Sequence, residues 1–439
     1  MLRKPAIYLL FACGLMAASV GCKTPRPSAS NPARFAYSDI SRPEFFPILP
    51  WDPNEGWQKP FAPVKPDGLE SIAECNFNMA GFVFPKDLPR CEKLGLGAVI
   101  LPSEPAFTSF AYTCQWAELS DAEIDRRVKA MVEAAGASPA IAGYFITDEP
   151  NVKLFPALGK AVAAVKRYAP GKLAYITLYP NYATIGNPDK SQLGTTNYTE
   201  YLERFVTEVK PQFISHDNYM VEISMDLSNQ VKAASYYYNL LEVRRVAQKH
   251  HLPFLNIVTG NQIRPFSTPP SPANYMFQAY TTLAAGYRGV TWFTYYQRRY
   301  PYAPIDSTGR KTLAWAWLKE VNRQVAALAL VMSRLNSTGV FFSAPAPVED
   351  LPLLPGKLVE SVVCLAPLMV GEFVDQDGRP YVMVVNLSLE KSAKFQIKTT
   401  RPFETIRLVS AMDGGLSAFD QQDGCWLTAG QGVLLQLGN

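Results

Sequence analysis

Between about Phe46 and Leu335 the chain repeats one unit: a short apolar run, a polar loop, then a stretch with helical periodicity. The runs are Pro47–Trp51, Ala80–Phe84, Gly97–Leu101, Ala142–Thr147, Leu173–Leu178, Gln212–His216, Pro253–Val258 and Arg288–Phe293. Most are nearly continuous in apolar residues, as parallel strands covered on both faces must be. Between them lie helical patterns such as "SDAEIDRRVKAMVEAA", where Ser120 and Glu123 have the spacing of a capping box, and "YTEYLERFVTEVK". About eight such units in about 290 residues is the size and rhythm of a (β/α)8 barrel. A doubly wound sheet is the rival, and it rarely needs eight units. The expected fold class is therefore α/β, a TIM barrel over residues 46–335.

After Leu335 the rhythm changes. "GEFVDQDGRPYVMVVNLSL" reads as strand, DG turn, strand with period-two alternation, and two further stretches continue in that style. Residues 336–439 are expected to form a small antiparallel β-sandwich that braces the barrel.

The other end of the chain reads as an export signal. Arg3 and Lys4 precede the apolar run Ile7–Val20, and small residues lead to Cys22. That pattern resembles a bacterial lipoprotein signal over residues 1–22, with Cys22 lipidated. Ser19 stands where such signals usually carry Leu or Val. Residues 23–45, opening with a stretch rich in Pro, Ser and Lys, are expected to be a flexible tether. The expected address is the cell envelope, with contact to a membrane only through the N-terminal lipid. The net charge is +4 and no basic run follows the tether, which argues against a nucleic-acid partner. Seven cysteines include Cys13 and Cys22, so five remain, without CxxC spacing; no complete disulfide framework or metal cluster is suggested.

In a barrel, polar residues just past the C-terminal strand ends line the active site. That rule selects Trp51 and Asp52 after the first strand, and Asp148 and Glu149 after the fourth. It selects Tyr179 and Asn181 after the fifth, and His216, Asp217, Asn218, Tyr219 and Glu222 after the sixth. Asn261, Gln262 and Arg264 follow the seventh, and Trp292, Tyr295 and Tyr296 the eighth. Acids, amides and aromatic rings suit a glycan: flat rings stack on the C–H faces of sugars, while amides and carboxylates answer hydroxyls. Glycine-rich phosphate turns and a GxSxG elbow are absent. Only three histidines are present, and His250–His251 fall where a helix leads into the seventh strand, at the barrel's other end. No metal or other cofactor is expected. What remains is acid–base work by carboxylates, most often used on glycosidic bonds. A competing role for Asp148 and Glu149 is to cap the helix that follows.

The stretch "AGYFITDEPN" (Ala142–Asn151) resembles the fourth-strand motif of (β/α)8 glycoside hydrolases of clan A, where an acid/base Glu follows Asn. By that resemblance Glu149 is the general acid. Asp148 stands where Asn is usual, and the strand-seven end, "IVTGNQ", lacks the nucleophilic Glu of that clan. The Asp–Glu pair is instead similar to N-acetylhexosaminidase families 20 and 123. There the substrate's own acetamide attacks, Asp orients it, Glu is acid then base, and a tyrosine, here Tyr219 or Tyr296, holds the amide oxygen. A third route uses Asp217 or Glu222 as a second carboxylate. A sugar-binding barrel without catalysis is the alternative from another class, and inward-pointing Arg264, Arg298 or Arg299 would favour an acidic or sulfated glycan.

Overall fold

The computed structural model describes residues 32–52, 68–101, 115–183, 185, 187, 189–220, 230–264, 267–297, 300–420, 422 and 424–438. Lipidation at Cys22, the acid Glu222, and Arg298 and Arg299 lie outside the described residues. The chain from Pro32 onward is one compact unit. Pro32–Ser38 is a 3-10 helix, and Ala36, Ser38, Phe45 and Phe46 are buried. The tether expected up to residue 45 is therefore corrected: from Pro32 the chain is packed, because it carries apolar side chains that the barrel covers.

Eight strands follow the expected order. They are β1 (Ile48–Pro50), β2 (Met79–Val83), β3 (Gly97–Ile100), β4 (Ile141–Asp148), β5 (Leu173–Leu178), β6 (Ile214–Asp217), β7 (Phe254–Thr259) and β8 (Val290–Phe293). All pair in parallel in the order β1-β8-β7-β6-β5-β4-β3-β2. A bridge between Trp51 and Gly81 draws the two edges together, with Asp52 N donating to Gly81 O at 2.9 Å and Phe82 N to Asp52 O at 3.1 Å. Gly81 is needed there: a Cβ would stand 2.9 Å from Leu49 Cδ1 and 3.3 Å from the Pro50 carbonyl. Every residue of β2, β3, β5, β6 and β7 is buried, which accounts for the continuous apolar runs. Inside, rings of Trp51, Phe82, Phe145 and Tyr175 meet mostly edge to face, with centroids 4.5–6.3 Å apart, and fill the lumen. The barrel is a plugged core.

Helices α1 (Gly68–Glu74), α2 (Leu88–Leu94), α3 (Asp121–Ala135), α4 (Phe155–Tyr168), α5 (Tyr198–Arg204), α6 (Gln230–Lys249), α7 (Pro272–Ala284) and α8 (Leu313–Met332) surround it. The capping box expected at α3 forms by half. Ser120 Oγ accepts from Glu123 N at 3.3 Å, but the Glu123 carboxylate pairs with Arg126 and Arg127 instead.

The C-terminal strands are β9 (Asn336–Phe342), β10 (Val359–Val363), β11 (Leu368–Val374), β12 (Pro380–Asn386), β13 (Ala393–Thr399), β14 (Thr405–Val409), β15 (Leu416–Ala418), β16 (Cys425–Leu427) and β17 (Gly432–Gly438). They make a six-stranded sheet, β15-β14-β17-β12-β11-β9, over a three-stranded one, β10-β13-β16. The central strands of the six-stranded sheet are apolar on both faces. Leu368, Val370, Val382, Val384 and Leu435 enter the core between the sheets, while their neighbours Met369, Phe373, Met383, Val385 and Leu434 join the barrel's core. Gly371 allows contact with α7, since a Cβ there would meet Ala284 O at 2.2 Å. Buried Glu372 is satisfied by the backbone N–H groups of Lys357, Leu358 and Val359 at 2.8–2.9 Å. The four described cysteines, Cys75, Cys91, Cys364 and Cys425, are free thiols.

Candidate active site

The acids expected after β4 are brought to the barrel mouth. Asn151, not Asp148, caps the helical turn that follows: its Oδ1 accepts from Lys153 N at 2.9 Å. The capping role proposed for the acidic pair is thus filled by its neighbour. Glu149 sits at φ 45°, a left-handed position that costs a non-glycine residue on the order of 1–3 kcal/mol. Two bonds hold that bend. Glu149 N donates to Thr177 O at 2.8 Å, and Tyr201 Oη donates to Pro150 O at 2.7 Å.

Asp148, Glu149 and Asp217 form one cluster. Glu149 and Asp217 act on each other's carboxyl groups: hydrogen bonding between them lowers the pKa of Glu149 and raises that of Asp217. Burial raises the pKa of each of the three. For Asp148 the Glu149 charge adds to burial, and a Thr177 hydrogen bond opposes it. For Asp217 the charges of Glu149 and Asp148 add to burial, while a hydrogen bond from Tyr219 opposes it. Asp217 is the more enclosed member of its pair, and one of its oxygens, Oδ1, is buried without a hydrogen-bond partner. Such a cluster stores protons at a pH where isolated carboxyl groups have lost them.

Thr177, on β5, ties this cluster to the lumen. Trp51 Nε1 donates to Thr177 Oγ1 at 3.0 Å, so the threonine's single proton is free to point at the Asp148 carboxyl group. One residue therefore orients both acids, Glu149 through its backbone carbonyl and Asp148 through its hydroxyl.

Aromatic rings line the same mouth. Phe293 stacks on Tyr219 at 5.4 Å, touches Trp51 at 5.6 Å and meets Tyr300 at 5.5 Å. Tyr182 Oη accepts from Tyr219 N at 3.2 Å, and Tyr182 feels the charges of Asp217, Glu149 and Arg264. Tyr179 and Asn181 flank it. Tyr179 O accepts from Tyr198 Oη at 2.8 Å, and Asn181 N donates to Asn239 Oδ1, which also receives Asn218 Nδ2. The Asn181 Oδ1 atom is buried without a partner.

Other expected site residues hold the scaffold. Asp52, 1% exposed, accepts from Tyr296 N at 2.8 Å, and Asn261 Nδ2 donates to Thr294 Oγ1 at 2.7 Å. Gln262 binds the carbonyl of Ser267. Three expectations are corrected. Trp292 turns away from the lumen and donates to Asn322 of α8 at 3.0 Å, so Phe293 is the strand-eight ring at the mouth. Tyr295 is fully buried and receives Trp315 Nε1 at 2.9 Å. His216 is fully buried against Tyr287, 2.8 Å from its Oη, and burial lowers its pKa to about 4. A side chain enclosed in this way cannot meet a substrate.

Sequence reasoning missed Thr177 and left Phe293 undecided, while Tyr182 belongs to the strand-five end "YPNY" that it did select. Period-two counting could have found Thr177, which shares the inward face of β5 with Tyr175.

No family model matches this chain, and no curated protein matches it. Solved structures do resemble it. The GH42 β-galactosidase Gan42B is 8% identical with a TM-score of 0.60, over 90% of this chain and 98% of that one. A β-galactosidase from Bacillus circulans sp. alkalophilus is 10% identical with a TM-score of 0.56, over 91% and 100%. At such identities the likeness establishes the architecture: a TIM barrel followed by an antiparallel β domain.

Proposed function

We propose that this protein is an exported glycoside hydrolase in which Glu149 protonates the departing sugar oxygen. The observation that carries the reading is the grouping of Glu149, Asp148 and Asp217 at one end of the strands beside the stacked rings of Tyr219 and Phe293, where burial raises the pKa of each carboxyl group. The structures sharing this fold include enzymes named as β-galactosidases, which agrees with glycan chemistry.

The second group is the substrate's own. Asp217 acts on Glu149 through a hydrogen bond that lowers the Glu149 pKa, which suits a group that tunes the acid rather than one that attacks the sugar. At the end of β7, buried Asn261 is bound to Thr294, so that strand supplies no acid. A 2-acetamido sugar would bring the attacking oxygen, with Asp148 receiving its amide N–H and Tyr219 donating to its carbonyl. Glu149 first gives its proton to the leaving oxygen, and then takes one from the water that opens the cyclic intermediate. Export and membrane tethering through Cys22 belong to the same proposal.

The test is hydrolysis of 4-nitrophenyl 2-acetamido-2-deoxyglycosides and the corresponding plain glycosides by wild type and Glu149→Gln. Cleavage confined to acetamido sugars and lost in Glu149→Gln supports the reading. Cleavage of plain glycosides alone removes the substrate-assisted route. Binding of glycans without cleavage by either protein returns the barrel to a lectin-like role. Mass spectrometry of the mature N-terminus tests lipidation of Cys22.

A further inference from the structure

A cavity of about 560 Å³ lies at the opposite end of the barrel, among the segments that lead into β1, β7, β8 and β9. We propose that it binds an organic oxyanion: a carboxylate, sulfate ester or phosphate ester on a partly apolar body. This does not depend on the glycosidase reading.

Charge is the first argument. Arg42, Arg288 and His251 line the cavity, and no lining residue is acidic. Arg288 is half-buried, and burial lowers its pKa; among the described residues it forms no ion pair and its side chain binds the carbonyl of Ser333. A guanidinium has five N–H donors, so most of those on Arg288 lack an acceptor among the described residues. Arg244, also half-buried with a lowered pKa and without an ion pair among the described residues, donates through Nε and Nη2 to Ser337 Oγ of the cavity wall. Arg42 has one ion pair, a long 3.8 Å contact with Asp39. Desolvating guanidinium groups without carboxylates is costly, and an oxyanion with its paired acceptors removes that cost.

Shape is the second. Phe45, Phe254 and Leu335 are 4% exposed and form the inner wall, so an occupant fits with an apolar part against them. The volume is that of small-molecule sites and exceeds what a bare ion fills. Elsewhere this chain matches its bases with acids, as at Arg167–Asp125 and at Lys249 and His250 with Glu203. Here it does not.

The experiment is calorimetric titration of the full mature protein with benzoate, phenyl sulfate and phenyl phosphate. Benzyl alcohol supplies the ring without charge, and inorganic sulfate and phosphate the charge without a ring. At least one aromatic anion should bind about tenfold or more tighter than benzyl alcohol and than its inorganic counterpart; which head group wins names the source. Arg42→Ala should weaken that binding severalfold with unchanged Tm, and Arg288→Met should abolish it. If Arg288→Met fails to fold, the exposed Arg42 carries the test alone. Glu149→Gln should bind as wild type does. Equal affinity for benzyl alcohol, affinity for the inorganic ions alone, no binding at all, indifference to Arg42→Ala, or loss in Glu149→Gln would each overturn the proposal.

Discussion

The two ends of the barrel treat charge in opposite ways. At the mouth, Asp148, Glu149 and Asp217 crowd together, and Glu149 and Asp217 find each other as partners. At the other end, Arg288 and Arg244 sit half-buried without a carboxylate partner among the described residues. On the outer helices the same chain pairs charges readily, as Glu123 does with Arg126 and Arg127. Like charges gathered where solvent is scarce lower stability, so they persist where a ligand or a proton makes up the difference. The contrast separates the molecule into ends that hold tension and a girdle that does not.

The largest effect expected is at Glu149. Glu149→Gln should lower kcat by about 10²–10⁴-fold while leaving the fold intact, the range for a lost general acid. An unchanged kcat would reduce the mouth to a structural cluster. Asp217→Asn comes next. The hydrogen bond from Asp217 lowers the Glu149 pKa against the effect of burial, so weakening it should raise that pKa and move the alkaline limb of the pH–rate profile to higher pH as kcat falls. A limb that stays in place would show that the two groups do not act on each other. Thr177→Val removes the hydroxyl that joins Trp51 to Asp148. It should cost about 1–3 kcal/mol in denaturant unfolding, from the buried indole N–H left unpaired. A merely structural threonine would leave the pH profile still, whereas here the limbs should shift.

The smallest effect concerns stability alone. Burial raises the Asp148 pKa in the folded state, so the native protein binds more protons than the unfolded chain. The associated stability is present below the ordinary carboxylate pKa and is lost as pH rises toward the raised value. Asp148→Asn should therefore melt a few degrees above wild type at pH 7, with the gap closing near pH 4. A gap that widened toward acid would reverse the assignment.

How much of this could be read beforehand follows from what each position needs. The strands were legible because parallel strands under helices must be apolar throughout: Leu173–Leu178 matches β5 residue for residue. The placement of Asp148, Glu149 and Asp217 at one end followed from chain direction alone. Their mutual contact did not, since it depends on the left-handed bend at Glu149 and on how β4 and β6 lie across the mouth. Trp292 and Phe293 are adjacent and aromatic, and only the register of β8 decides which faces inward. The opposite cavity was invisible because its wall comes from four separate segments, and one of them, around Phe45, reads as linker by composition.

The sheet β15-β14-β17-β12-β11-β9 has a consequence for anyone wishing to shorten this protein. With Met369, Phe373 and Leu434 seated on the barrel side and Val370, Val382 and Leu435 on the other, its central strands β11, β12 and β17 are covered on both faces. Expressing the barrel alone would strip the covering from α7, and expressing the sandwich alone would bare a greasy slab. The two parts are partners for life, and any graft, fusion or minimal enzyme built from this chain has to carry both.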